Sequence, residues 1–316
     1  MVRTEEDMQF LGFFGTIKES FKIVFSRKKI FTHITLTLIL PLALIYLANV
    51  EISDLFSSNI LNNQVHSSKR HHRISTHWAL LSLFKTLYFI FFLILYLLST
   101  AAVVYTIACI CTDKQTPFKR VMSVVPKVWK RLLVTFLWSF FIVFVYNVVA
   151  IGILVLWVAF LLGYVVGIVL GVGILVLYLV GLVYISIVWQ LASVVSVLEE
   201  KYGLKAMKKS RILIKGKMGV TVAMFVLFGL CFAGIEIVFE KLVVFEWSTK
   251  LAISIPIGIL CLVLLMVVIL FDLVVETIIY FICKSYHHES IDKSSLSHHL
   301  EEYHGSKHVQ LERSTV

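Results

Sequence analysis

Two carboxylates inside a long apolar run are the residues of this chain best placed to do chemistry. Asp272 and Glu276 stand four residues apart within 251–283, so a helix puts both on one face. An acid at membrane depth is costly, and marks either a proton or cation site or a structural ion pair. Lys284 follows Glu276 by about two helical turns. A pair with Lys or Arg from the basic segments is the favoured expectation, and a proton or cation site is the alternative. Asn147 and Gln190 are uncharged polar residues in other apolar runs. Hydrogen bonding between helices is their default use, and a transport path the second reading. Glu236 falls near the end of its run and reads as interfacial.

The remaining reactive residue types point to no catalytic centre. His304 and His308 have the spacing of a helical metal pair, but no His–acid–His motif or cysteine accompanies them. Cys109, Cys111 and Cys283 fall at the ends of apolar runs, where small apolar residues are expected more often than palmitoylation sites. No phosphate-cradling loop and no Gly-x-Ser-x-Gly is present. No catalytic residue, metal or cofactor is therefore expected, and the protein reads as non-enzymatic.

The elements that must position these residues are membrane spans. Of the 316 residues, 59% are hydrophobic and only 15% charged. The apolar residues come in blocks longer than the ~18 that mark a spanning helix. The formal charge of +10 is accordingly read as a topology signal and not as a nucleic-acid footprint. The chain shows no signal-peptide pattern; its first long apolar run follows Arg27, Lys28 and Lys29, as in a signal anchor. Before that run, Phe10, Phe13, Phe14, Ile17, Phe21, Val24 and Phe25 fall at helical spacing, with Lys18 and Lys22 on the flanks. This predicts an amphipathic helix in the headgroup region.

Six spans are predicted, at about 30–50, 79–110, 132–160, 163–198, 218–239 and 251–283. Pro41 predicts a kink in the first. The stretch Leu132–Leu198 is ambiguous, because its sixty-seven residues contain no Lys, Arg, Asp, Glu or His. Length alone allows two long spans or three short ones. The flanking segments decide: Cys111–Arg131 carries six Lys/Arg against one Asp, and Glu199–Lys217 seven against two Glu. Both belong on the cytosolic side, which requires an even number of spans between them. Two long helices turning near Leu161–Tyr164 satisfy this. Lys69, Arg70 and Arg73 fall in the first outer loop and run against the rule, but orientation follows the sum. Both termini are then cytosolic, and residues 284–316 form a His-rich tail expected to be disordered.

The basic segment Tyr202–Val220 has looser counterparts at Ile17–His33 and Phe118–Val134. Each runs from an apolar residue and Lys, through a mixed turn and a Lys/Arg cluster, into an odd-numbered span. The chain therefore reads as three two-helix units, each entered through a basic elbow. The run Gly203-Leu204-Lys205-Ala206-Met207-Lys208-Lys209-Ser210, continuing to Lys215-Gly216-Lys217, resembles the elbow of a broad group of polytopic proteins. That group includes the membrane domain of some glycerophosphodiester phosphodiesterases. From Phe10-Leu11-Gly12 through the last span, the chain resembles a family of plant six-span proteins. The resemblance implies the fold and carries across no catalytic residue.

The expectation is an all-α, six-helix membrane protein that organises lipids or partner proteins without catalysis. Lys205, Lys208, Lys209, Arg211, Lys215 and Lys217 are the candidate contacts to anionic lipid. The alternative is a transporter or channel using Asp272, Glu276, Asn147 and Gln190. Gly163, Gly167 and Gly171 repeat every four residues and predict close packing of the fourth span, within the chain or in a homo-oligomer. Membrane lipids, a protein partner or a second copy are the expected partners, with no nucleic acid. An endomembrane such as the endoplasmic reticulum is favoured over the plasma membrane, since no glycosylation site or disulfide framework marks an outer face.

Overall fold

The structure is a computed structural model and describes residues 12–50, 71–111, 118–161, 165–244 and 251–287. In chain order the helices are α1 (Phe13–Ser26), α2 (Lys28–Val50), α3 (His71–Cys111), α4 (Phe118–Leu161), α5 (Val165–Leu198), α6 (Leu204–Leu213), α7 (Met218–Phe239) and α8 (Leu251–Tyr286). Six of these, all but α1 and α6, are long and apolar enough to cross a membrane. Helices satisfy every backbone polar group within the segment, as hydrocarbon demands. Large side chains such as Phe144, Ile151, Val169 and Leu177 are exposed on them. A helix that is apolar all round is stable in that state only when lipid or protein covers it. The protein is an integral, multi-pass membrane protein of all-α class.

Several boundaries differ from the sequence expectation, each for a local reason. The helix α3 starts at His71 rather than near Ala79. The polar residues 71–78 include neither Gly nor Pro, so nothing there ends a helix. The basic residues from Phe118 onward are likewise the first turns of α4 and not a separate elbow. Beyond Phe239, the chain continues as a widened helical turn over Glu240–Val244. Ahead of Pro41, where a kink is expected, the helix is π-widened over Thr35–Ile39, and the Leu40 N–H bonds the Thr35 carbonyl. A proline ring clashes with the carbonyl four residues back, and widening the preceding turn moves that carbonyl away. Thr37 Oγ1 meanwhile donates to the His33 carbonyl at 2.7 Å.

The chain forms two compact units whose segments alternate along the sequence. The first takes the described residues among 1–21, 104–225 and 275–316; the second takes those among 22–103 and 226–274. In the second unit, Phe31, Ile34, Ile39 and Leu42 of α2 are buried, as are Leu97 of α3 and Leu265 of α8.

The first unit is built on an antiparallel hairpin of α4 and α5. Its rungs are Thr135 against Ser196, Phe136 against Trp189, Tyr146 against Tyr178 and Trp157 against Gly167. The charge-free stretch is thus two long helices. Two glycines of α5 admit large rings from α4: a Cβ on Gly171 would collide with the Trp157 ring, and one on Gly181 with the Tyr146 hydroxyl. Gly167 is buried and its carbonyl accepts from Trp157 Nε1 at 2.8 Å. At Gly171 and Gly181 the missing side chain therefore makes room for aromatic rings of α4. Residues 284–286, expected at the start of a disordered tail, are the last turn of α8. Gly163 lies outside the described residues, as do the part of the first polar loop at 51–70, the turn at 162–164 and the rest of the His-rich tail from 288, with His304 and His308.

Candidate functional site

The basic elbow α6 sits between two glycines with left-handed backbone. Gly203 precedes it at φ +61°, and Gly216 follows it at φ +99°. Side-chain-bearing residues adopt such angles only with strain. At the front, the Gly203 N–H donates to Thr135 Oγ1 at 2.8 Å, and Thr135 shares a 2.7 Å hydrogen bond with Ser196. One buried hydroxyl therefore joins α4, α5 and the start of the elbow. Ser210 Oγ donates to the Val188 carbonyl at 2.8 Å, and Ser139 Oγ approaches Met207 Sδ at 3.7 Å.

These contacts fix which way α6 faces. Ala206, Met207, Ser210 and Leu213 are buried. Leu204, Lys205, Lys208, Arg211 and Ile212 are exposed. At ~100° per residue the exposed five fall on one arc about 120° wide. Lys209 is half-buried at its edge, Lys215 is exposed beyond the helix end, and Lys217 is half-buried. The structure thus gathers Lys205, Lys208 and Arg211 on one surface, and adds two large apolar residues that charge counting passes over.

The end of α8 clamps the far side of the elbow. A Cβ on Gly216 would collide with the Tyr286 ring, and Lys217 Nζ lies 5.3 Å from the centroid of that ring. His287 Nε2 sits 3.2 Å from the Leu213 carbonyl and 3.0 Å from the Lys215 carbonyl. Both neighbours are acceptors, so Nε2 carries the proton and donates to both. This satisfies carbonyls that the end of a helix leaves without partners.

A second polar group joins the end of α5 to α8. The buried Tyr280 donates its hydroxyl to Glu199 Oε1 at 2.9 Å. Lys284 Nζ lies 3.9 Å from the same oxygen and 3.4 Å from the Tyr280 hydroxyl. Lys201 Nζ lies 3.5 Å from Glu199 Oε2. Lys284 is thus engaged with Glu199. Tyr280 stands four residues from both Glu276 and Lys284 on α8, a spacing present in the sequence but carried by a residue without the charge that would mark it.

The intramembrane polar residues are distributed as follows. Asn147 donates from Nδ2 to the Val143 carbonyl at 2.8 Å and accepts from the Tyr178 hydroxyl at 2.9 Å. It helps line an apolar cavity of about 440 Å³ between α4 and α5, with Tyr146, Trp157, Gly171 and Tyr178. Gln190 is half-buried on α5, Glu276 is buried, and Asp272 is half-buried one turn before it. Neither Gln190 nor Glu276 lines that cavity. All five cysteines are free thiols. Among the described residues, no group of three or more His, Cys, Asp or Glu is arranged to hold a metal ion.

The chain belongs to the family described as Domain of unknown function (DUF8558), which matches residues 1–316. No curated protein and no solved structure matches it.

Proposed function

We propose that this DUF8558 member organises anionic lipid at one face of its membrane, through the basic elbow α6, without catalysing a reaction. The observation that carries the reading is the mixed character of the exposed arc. Lys205, Lys208 and Arg211 share it with Leu204 and Ile212. Water would favour the charges and disfavour the leucine and isoleucine. The headgroup boundary suits both, because apolar side chains dip into the acyl region while basic groups meet phosphates. The helix α1 supports the same placement. Its small polar residues Thr16 and Ser20 are buried, while Phe14, Phe21 and Phe25 are exposed. Such a helix lies at the boundary, its aromatic side toward lipid. By the positive-inside rule this is the cytosolic leaflet, with both termini on that side and an endomembrane as the home.

The transport reading has less support. Asn147 is committed to Tyr178 and Val143, and the cavity it lines is almost wholly apolar.

The test is lipid retention by the purified full-length protein from vesicles containing phosphatidylserine. Basic residues near a charged surface contribute about 1 kcal/mol each. The triple change Lys208→Gln, Lys209→Gln and Arg211→Gln is expected to weaken anionic-lipid retention by roughly a hundredfold. Sidedness, read by protease accessibility of the termini, stays unchanged. An unaltered lipid profile in the triple variant would show that these charges only orient the chain.

A further inference from the structure

The second unit holds a carboxylate whose charge the described residues leave unanswered. Glu236 of α7 is half-buried, and its Oε2 accepts a hydrogen bond from the Tyr46 hydroxyl of α2 at 3.2 Å. Among the residues whose side chains are described, no Lys or Arg is ion-paired with it. An amide would accept the same hydrogen bond; the carboxylate adds a negative charge in a half-buried place. That charge can take a cation from elsewhere as its partner.

The aromatic cluster that begins at Tyr46 says which cation. The Tyr46 ring lies 6.3 Å from Phe92 of α3, centroid to centroid, at an interplanar angle of 39°. Phe92 in turn stacks with Tyr88 at 6.0 Å. Tyr46, Tyr88 and Phe92 are all half-buried, so each keeps an accessible side. Aromatic faces attract cations through the ring quadrupole, and quaternary ammonium groups most characteristically. A metal ion of the calcium or magnesium type requires about six oxygens, far more than one carboxylate and one phenol supply. A primary ammonium carries three N–H donors, each wanting an acceptor. A trimethylammonium group has none, so one carboxylate and several ring faces satisfy it.

Depth completes the argument. From Met218 to Glu236 along α7 is about 27 Å, and from Lys29 to Tyr46 along α2 about 26 Å. The hydrocarbon core is about 30 Å thick. Both residues therefore lie at the boundary remote from the basic ends of their helices. The charged residues Glu240 and Lys241 follow immediately and are exposed, as residues among headgroups would be.

We propose that Tyr46, Tyr88, Phe92 and Glu236 form a site for the quaternary ammonium of a choline-type lipid headgroup. The test uses full-length protein in detergent. It is offered short-chain phosphatidylcholine, phosphatidylethanolamine of the same chains, or free choline, and bound ligand is counted by native mass spectrometry. Phosphatidylcholine is expected to bind about tenfold more tightly than phosphatidylethanolamine, with tetramethylammonium chloride competing for the site. Glu236→Gln keeps an acceptor for Tyr46 while removing the charge. It is expected to abolish the preference with an unchanged melting temperature. Phe92→Leu is expected to weaken phosphatidylcholine binding several-fold. Equal retention of the two lipids by the unaltered protein would overturn the proposal, as would a preference that survives Glu236→Gln. Binding of free choline without phosphatidylcholine would overturn the assignment to a lipid. If Glu236→Gln lowers the melting temperature, the Phe92→Leu variant and the tetramethylammonium competition on unaltered protein decide between these outcomes.

Discussion

Two basic segments of this chain have nearly the same order of residue types and different structures. Phe118–Val134 runs without a break into the helix α4, whereas Tyr202–Val220 holds the separate short helix α6 before α7 begins. The positive charge is similar in both, so charge does not make an elbow. Glycine does. Gly203 and Gly216 bracket α6 with left-handed backbone, and the segment 118–134 has no glycine. Pro126 in that segment lies inside α4 and does not divide it. Basic residues set which side of the membrane a segment occupies, and glycines with positive φ set whether it turns there.

The largest expected break in this comparison is at Gly216. Valine there puts a β-branched residue into left-handed backbone, a strain at the upper end of about 1–3 kcal/mol, and displaces the exposed Tyr286 ring. Gly216→Val is therefore expected to lower stability by roughly 3 kcal/mol, read as the thermal transition of the detergent-solubilised protein. A glycine replacement at a helical position such as Gly219, where a Cβ meets nothing within 4 Å, serves as the control. If both variants melt alike, the glycine account of the elbow is wrong.

An intermediate effect is expected where α8 is fastened to the end of α5. Glu199→Ala strips the buried Tyr280 hydroxyl of its acceptor, at a cost of about 1–3 kcal/mol. Glu199→Gln keeps an acceptor and loses only the pairing with Lys201 and Lys284, worth at most about 1 kcal/mol for a partly exposed group. Melting temperatures should thus fall in the order wild type, Gln, Ala. Equal losses would mean that the ion pairs, not the tyrosine bond, hold the junction. The smallest effect is expected at His287. Its removal exposes the Leu213 and Lys215 carbonyls at a place water reaches, so His287→Ala should cost about 0.5–1 kcal/mol. Faster amide exchange in 214–217, with the hairpin α4–α5 unchanged, would localise that loss.

The legibility of the fold in the sequence follows the same division. Length and charge asymmetry were enough to predict six spans and to divide Leu132–Leu198 into two helices, because both depend on composition over many residues. The start of α3 at His71 was not legible, since polar residues continue a helix as readily as apolar ones outside the hydrocarbon. The positive φ of Gly203 and Gly216 was not legible either; a glycine in sequence gives the freedom but not its use. The candidate surface was half visible. Lys205, Lys208 and Arg211 stand out by charge, whereas Leu204 and Ile212 look like ordinary apolar residues until the buried face of α6 is known. The bond between Tyr280 and Glu199 joins residues eighty-one positions apart and has no local signature.

The widened turn at Thr35–Ile39 also sets a rotational phase. An inserted residue in a helical turn carries everything beyond it round by about 100° relative to an unbroken α-helix. Tyr46 lies beyond that insertion and meets Glu236 in the resulting phase. In a regular helix of the same sequence its ring would face more than a quarter-turn away. The proline that forces the widening thus acts at a distance, by choosing the compass bearing of a side chain more than one turn further on.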